Sequence, residues 1–125
     1  MTGANKVLCV EDDADTCELI AAILYDYDVF SAQSVQAALD LLEKETFNYV
    51  ILDMLLPDGS GLELCKQIRS ADQATPIVFV TGSGSLNLNK VREAGGNELV
   101  HKASPDFIDR LVSCIEHLGL SHLTS

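Results

Sequence analysis

Five short apolar segments alternate with longer amphipathic segments along the chain. Residues 7–10, 49–52 and 77–80 are apolar throughout, a pattern typical of strands that are buried on both faces of a parallel sheet. The stretches between the apolar segments carry apolar residues at a spacing near 3.6, which predicts helices. The five predicted strands begin near Val7, Asp28, Tyr49, Ile77 and Leu99.

Polar residues at the segment boundaries predict where the first three helices begin. Asp13 or Asp15 suits the N-cap of the first helix, and Ser34 suits the N-cap of the second. The third helix opens on Ser60-Gly61-Leu62-Glu63, which has the spacing of a capping box.

Glycine and proline set the predicted bounds of the last two helices. The fourth is predicted over Leu86 to Ala94, with Gly95-Gly96 ending it. The fifth is predicted to begin at Ser104-Pro105, an N-cap followed by proline at the first helical position, and to end at Gly119.

This alternation of strands and helices predicts an α/β fold in a single domain over residues 1–125, with a core of about 6–118. We expect a doubly wound, five-stranded parallel sheet in the order 2-1-3-4-5, a flavodoxin-like (βα)5 arrangement. In such a sheet, ligands bind outside the carboxyl ends of the strands, where the strand order reverses between strands 1 and 3.

The charge distribution narrows the classes of function. The net charge is −11, and all of it lies in residues 1–63, which hold 13 acidic and 2 basic residues. Such a surface does not favour the binding of nucleic acid, because affinity for nucleic acid depends on Lys and Arg neutralising phosphates. The sequence also contains neither an apolar run of membrane-spanning length nor an N-terminal signal peptide, so a cytoplasmic protein is expected.

The cysteines do not suggest a metal or disulfide framework. They form no CxxC pair and have no neighbouring histidine, and each lies in an apolar or helical stretch. We therefore expect small buried core residues in a reducing compartment. The four are Cys9, Cys17, Cys65 and Cys114.

Side chains that can bind a metal ion or take part in catalysis follow four of the predicted strands. Glu11-Asp12-Asp13 follows the first strand, Asp53 the third, Thr81 the fourth and Lys102 the fifth. Taken singly, these residues are more often helix caps, turn residues or solvated charges. Together they would meet at one edge of the sheet, where the carboxylates would repel one another unless a cation or Lys102 compensated.

That combination suggests phosphoryl chemistry. Carboxylate oxygens suit Mg²⁺, and Mg²⁺ with a lysine and a hydroxyl can clamp a phosphoryl group. An aspartate can then act as the nucleophile and form an aspartyl phosphate.

Four motifs in order give the chain a strong resemblance to the response-regulator receiver domains of two-component signalling, including chemotaxis regulators. The most specific motif is residues 50–61, in which Asp53 is followed by Pro57 and Gly61 at the family's spacing. The other three are residues 7–13 with the acidic pair, residues 76–82 with the switch hydroxyl, and residues 94–96 with Lys102.

The resemblance implies a role for each site residue. Asp53 would accept the phosphoryl group, while Thr81 and Lys102 would hold its oxygens. Asp12, Asp53 and the Met54 carbonyl would bind Mg²⁺ directly, and Glu11 would act through water.

The resemblance also implies partners and an output surface. A sensor histidine kinase or a histidine phosphotransfer protein would supply the phosphoryl group. A downstream protein would read the face made by the fourth helix, the fifth strand and the fifth helix, and a homodimer is compatible with this scheme. The domain would catalyse only its own phosphorylation and dephosphorylation.

Three departures from the family pattern fall on the output side. Leu99 stands where the family usually has an aromatic residue, the stretch from Thr81 to Gly95 is short, and Ala103 replaces the usual proline after the lysine. The family's lysine–proline bond is usually cis. Because a non-proline cis bond costs about 2.5–4 kcal/mol, we predict a trans bond between Lys102 and Ala103.

Three other functions compete with this interpretation. A flavin carrier of the same fold needs a phosphate-cradling loop after the first strand, where Glu11-Asp12-Asp13 would repel a phosphate. A hydrolase with an aspartate nucleophile would need a second acid or base beside Asp53. The remaining alternative is a receiver-like docking module that works without phosphorylation.

Overall fold

The fold was obtained as a computed structural model that describes residues 5–82 and 84–124, with the backbone alone for 119–124. A two-residue antiparallel ribbon, Leu55–Leu56 with Gly59–Ser60, lies outside the main sheet. The sheet contains β1 (Lys6–Val10), β2 (Asp28–Ala32), β3 (Tyr49–Leu52), β4 (Ile77–Thr81) and β5 (Glu98–His101). The helices are α1 (Ala14–Ile23), α2 (Val35–Lys44), α3 (Gly61–Ala71), α4 (Leu88–Ala94) and α5 (Phe107–Thr124).

The five strands are parallel and follow the order β2-β1-β3-β4-β5, so the predicted topology is confirmed. The register aligns Val10 at the end of β1 with Leu52 at the end of β3. The residues that follow these two strands are therefore neighbours at the carboxyl edge of the sheet.

Alternate residues of the buried strands supply two hydrophobic cores, one on each face of the sheet. Leu8, Val50 and Phe79 pack on the face covered by α2, α3 and α4. The residues next to them along the strands, such as Cys9 and Ile51, pack on the face covered by α1 and α5. This division follows from the period of two along a strand, and it explains why these strands are apolar at every position.

The first three helices begin where the sequence predicted, but the cap of α3 differs in detail. Asp13 is the N-cap residue of α1, and the Ser34 hydroxyl caps α2 by accepting from the Ala37 N–H at 3.1 Å. Ser60 caps α3 but accepts from the Leu62 N–H at 3.0 Å, and Glu63 pairs with Lys66 on the surface instead of closing a capping box.

The predicted start of the fourth helix was two residues early. The helix begins at Leu88, because Asn87 is its N-cap and the Asn87 side chain accepts from the Lys90 N–H at 2.9 Å. Leu86 lies in the hydrophobic core just before the helix. The predicted end is confirmed: Gly95 has φ 104° and closes α4.

Both predicted bounds of the fifth helix were wrong. The segment after Lys102 turns first, with the Phe107 N–H donating to the Ser104 carbonyl at 3.0 Å, so the helix begins at Phe107. It continues through Gly119, since one glycine in a helix costs only about 0.5–1 kcal/mol. The bond between Lys102 and Ala103 is trans, as predicted.

The loop between β3 and α3 is attached to the start of α2 through Asp58. Its two carboxylate oxygens accept from the Val35 N–H at 2.7 Å and the Gln36 N–H at 3.0 Å. Together with Ser34, Asp58 satisfies three backbone donors that a helix N-terminus otherwise leaves unpaired. These hydrogen bonds lower the pKa of Asp58, so the carboxylate is charged at neutral pH.

We predict that Asp58→Ala lowers the melting temperature by about 3–6 °C at pH 7, because two helix donors lose their acceptor. The contribution of Asp58 is complete above its ordinary pKa of 3.8 and is lost as the pH falls through its lowered pKa in the folded protein. The difference from the wild type should therefore shrink below pH 3.8 in thermal melts recorded across pH.

Asp26→Ala is the matched control, since Asp26 is an exposed carboxylate in a turn. It should change the melting temperature little. A loss for Asp58→Ala no larger than the control's would contradict a capping role for Asp58.

Candidate functional site

Three carboxylates meet at the carboxyl edge of the sheet, as the sequence predicted. Glu11 and Asp12 follow β1, and Asp53 follows β3; one oxygen of each lies within 4.8 Å of the others. Glu11 and Asp53 are buried, at 1% and 7% exposed, and Asp12 is open to solvent. The backbone fixes the relation between the two loops, because the Asp53 N–H donates to the Val10 carbonyl at 2.9 Å.

Lys102 reaches the cluster from the end of β5. Its ammonium forms an ion pair with Glu11 and lies 3.4 Å from Asp53 Oδ2. The Lys102 N–H also donates to the Thr81 carbonyl at 2.9 Å, which ties the start of this loop to β4. The predicted compensation of the carboxylates by Lys102 is therefore present.

The electrostatics of the cluster reflect burial and this ion pair. Burial raises the pKa of Glu11 to about 7, against the opposing effect of the hydrogen bond from Lys102. Burial also disfavours the charged form of Lys102, but the neighbouring Glu11 and Asp53 carboxylates outweigh it and raise the pKa of Lys102. The lysine therefore stays cationic beside Asp53 at neutral pH.

Thr81 lies at the carboxyl end of β4 and is 1% exposed. β4 is paired with β3 on one side and β5 on the other, so Thr81 is placed between the strands that lead to Asp53 and Lys102. The structure thus assembles the predicted acids, hydroxyl and ammonium at one edge of the sheet.

Gly61 allows the loop after Asp53 to close tightly. The Gly61 N–H donates to the Met54 carbonyl at 2.7 Å, and a Cβ on Gly61 would lie 2.1 Å from the Asp53 carbonyl oxygen. No side chain fits there without moving the backbone of Asp53. Met54 as a metal ligand stays a prediction, and it requires the second lone pair of a carbonyl that already accepts from Gly61.

Sequence reasoning missed several residues that support the site. It gave no role to Asp58, and it did not bring Cys9 and Cys17 together, although both lie in the same hydrophobic core. The Cys17 thiol also donates to the Glu11 carbonyl at 3.2 Å, beside the acidic cluster. These contacts cross between elements, and no local sequence pattern reports them. The four cysteines are free thiols; three are buried and Cys114 is half-buried.

The donor set fits a magnesium ion. Two buried carboxylates and one exposed carboxylate offer hard oxygen ligands, and the exposed position of Asp12 leaves room for the water molecules that Mg²⁺ retains. A divalent cation would also relieve the repulsion that Lys102 only partly offsets.

The chain belongs to the response regulator receiver domain family, which it matches over residues 7–115. It is 40% identical over 85 residues to the response regulator protein PilR of Pseudomonas aeruginosa, covering 66% of this chain and 19% of PilR. The chain spans less than half the length of this and other curated relatives that it matches.

Solved structures agree with this assignment. The chain is 32% identical to the BeF₃-activated receiver domain of RstA from Klebsiella pneumoniae, with a TM-score of 0.79 over 91% of this chain and 98% of that one. It is 25% identical to TrrA of Thermotoga maritima, solved in complex with Mg²⁺ and BeF, with a TM-score of 0.81 over 91% and 98%. The chain is thus a receiver domain of a two-component response regulator. Within its described residues, no helix is long and apolar enough to cross a membrane.

We predict that Gly61→Ala destabilises the domain by about 1–3 kcal/mol, because the added Cβ collides with the Asp53 backbone. Gly82→Ala is the control: a Cβ there would meet nothing within 4 Å, so its effect should be small. Urea denaturation measures both. Equal stability of the two variants would show that the loop relaxes freely around Gly61.

Proposed function

We propose that this receiver domain accepts a phosphoryl group on Asp53 in the presence of Mg²⁺. The observation that carries the proposal is the position of the Asp53 carboxylate, which shares one edge of the sheet with Asp12, Glu11 and the Lys102 ammonium. The solved TrrA complex, whose fold this chain shares, contains Mg²⁺ and BeF and supports the same chemistry here.

In the proposed reaction, an oxygen of the Asp53 carboxylate attacks the phosphorus atom of a phosphohistidine. The new O–P bond forms as the N–P bond breaks, and the imidazole leaves with the electron pair and takes a proton from solvent. The buried edge of the sheet holds the nucleophile in place, because Asp53 is only 7% exposed and its N–H is bound to Val10.

The metal ion would neutralise charge on the phosphoryl oxygens when bound. Asp12 and Asp53 would hold it directly, with the Met54 carbonyl as a further ligand and Glu11 acting through water. The Lys102 ammonium, now shared between Glu11 and Asp53, would contact a phosphoryl oxygen and so continue to compensate negative charge after the transfer.

The phosphoryl group would leave the aspartyl phosphate by hydrolysis. A water molecule attacks phosphorus, the O–P bond to Asp53 breaks, and inorganic phosphate is released with the carboxylate restored. The domain therefore acts on its own phosphoryl group and turns over no separate substrate.

Phosphorylation would be transmitted through Thr81 and Lys102. We propose that the Thr81 hydroxyl moves to a phosphoryl oxygen and that the shift changes the face formed by α4, β5 and α5. Lys102 follows β5 directly, so a new contact of its ammonium acts on this same face. A sensor histidine kinase or histidine phosphotransfer protein would donate the phosphoryl group, and a downstream protein or a second copy would read the face, in the cytoplasm.

A phosphorylation-independent docking module is the second candidate. It is favoured by Leu99, a half-buried aliphatic residue on β5 that packs against the core at the position where the family usually has its aromatic switch residue. The two candidates differ in whether Asp53 becomes phosphorylated.

We predict that incubation with acetyl phosphate and Mg²⁺ adds one phosphoryl group, measured by intact mass, and that Asp53→Asn abolishes the addition. Asp13→Asn is the matched control, because Asp13 is an exposed neighbouring acid outside the cluster of three. It should be phosphorylated like the wild type. Modification that persists in Asp53→Asn would refute the assignment, and an unmodified wild type would favour the docking module.

We predict that Mg²⁺ stabilises the unphosphorylated domain, since it relieves repulsion among the three carboxylates. At an Mg²⁺ concentration about 100 times its dissociation constant, binding adds about 2.7 kcal/mol to the free energy of unfolding. Thermal melts with and without Mg²⁺ should show the increase in the wild type and a much smaller one in Asp12→Ala. An equal increase in both proteins would place the ion elsewhere.

A further inference from the structure

A groove between α2 and α3 lies at the opposite end of the sheet from the acidic cluster. It encloses a volume of about 580 Å³, within the range typical of small-molecule sites. Its walls come from α2 between Gln36 and Glu43, from the carboxyl-terminal half of α3 and from the segments that follow the two helices. Neither the phosphoryl site nor the α4-β5-α5 face includes this groove.

The floor of the groove is apolar. Phe47, Val50 and Ile68 line it and belong to the core, with at most 8% of each residue exposed. Leu39 and Leu42 form the α2 wall and are only half-buried, so the groove leaves part of their apolar surface open to solvent. An occupant with an aliphatic or aromatic body would cover that surface.

The rim of the groove is acidic. Glu43, Glu45 and Asp72 line it, and none of the lining residues is Lys, Arg or His. Hydrogen bonds from Thr75 and from the backbone lower the pKa of Asp72, so this carboxylate is charged at neutral pH. Lys6 pairs with Glu45 at 2.6 Å, but within the described residues Glu43 has no ion pair.

Helix orientation adds to the negative potential of the rim. α2 ends at Lys44 and α3 ends at Ala71, so the carboxyl-terminal ends of both helices flank the groove. The macrodipole of each helix places partial negative charge at this end, which favours a cation. Lys44 and Arg69 stand in the last turns of the two helices and offset part of this charge, and Arg69 also donates to the Asp72 carbonyl at 3.0 Å.

We propose that the α2–α3 groove binds an amphipathic monocation, with its aliphatic or aromatic body on the Phe47 floor and its ammonium group at the Glu43 rim. The charge of the rim selects a cation over an anion, and the apolar floor selects an amphiphile over a simple polar amine. The proposal is independent of phosphoryl transfer, and its test needs no phosphoryl donor.

Titration of the ¹⁵N-labelled chain with three eight-carbon probes tests the proposal by NMR. Octylammonium should shift the amide signals of the groove residues, and it should bind about tenfold more tightly than octanoate at low salt, with octanol between them. Added salt should weaken octylammonium binding. Octanoate or octanol binding as tightly as octylammonium would overturn the charge selection, and shifts outside the groove or no shifts would overturn the site.

Two variants separate the charge from the cavity. Glu43→Gln should weaken the binding of octylammonium about two- to fivefold and leave the binding of octanol unchanged. The control is Glu18→Gln, because Glu18 is an exposed acid on α1, on the other face of the sheet; it should change the binding of neither probe. Ala71→Trp places a large side chain on an exposed position of the groove wall and should abolish binding of both probes while circular dichroism shows a folded domain. Equal effects of Glu43→Gln and Glu18→Gln, or full binding in Ala71→Trp, would contradict the assignment.

Discussion

The site depends on one electrostatic balance, the compensation of buried carboxylates by the Lys102 ammonium. Glu11 is almost fully buried, and a buried charge without a partner costs several kcal/mol. Lys102 supplies the partner from β5 and reaches Asp53 as well. One positive charge opposite three acids leaves an excess of negative charge, and such a set of hard oxygen ligands suits a divalent cation.

The loop that carries Asp53 is held in place by contacts that lie outside the acidic cluster. Gly61 brings the start of α3 against the Asp53 and Met54 backbone, and Asp58 bonds the same loop to the start of α2. The nucleophile proposed at Asp53 needs a fixed position, and these contacts hold the backbone of its loop.

The two ends of the sheet carry negative charge for different reasons. At the carboxyl edge, the charge comes from acids brought together by parallel strands. At the opposite edge, it comes from the three acids that line the rim of the groove. The first arrangement is lined by polar groups and suits a small hard cation, whereas the second lies over an apolar floor and suits a cation with a hydrophobic body.

The sequence by itself determined the sheet order and the acids, hydroxyl and lysine that meet at its carboxyl edge. The strands follow from local periodicity and the site residues from their positions at strand ends. The sheet order follows from the arrangement common to domains of five βα units. The sequence also predicted the trans bond before Ala103, since that preference belongs to a single peptide unit. The tertiary structure decided where α4 and α5 begin, because Asn87 caps α4 and the chain turns after Lys102 before α5 starts. It also decided the Asp58 contact with α2 and the groove between α2 and α3, since both join residues more than 20 positions apart, a separation that no local pattern encodes.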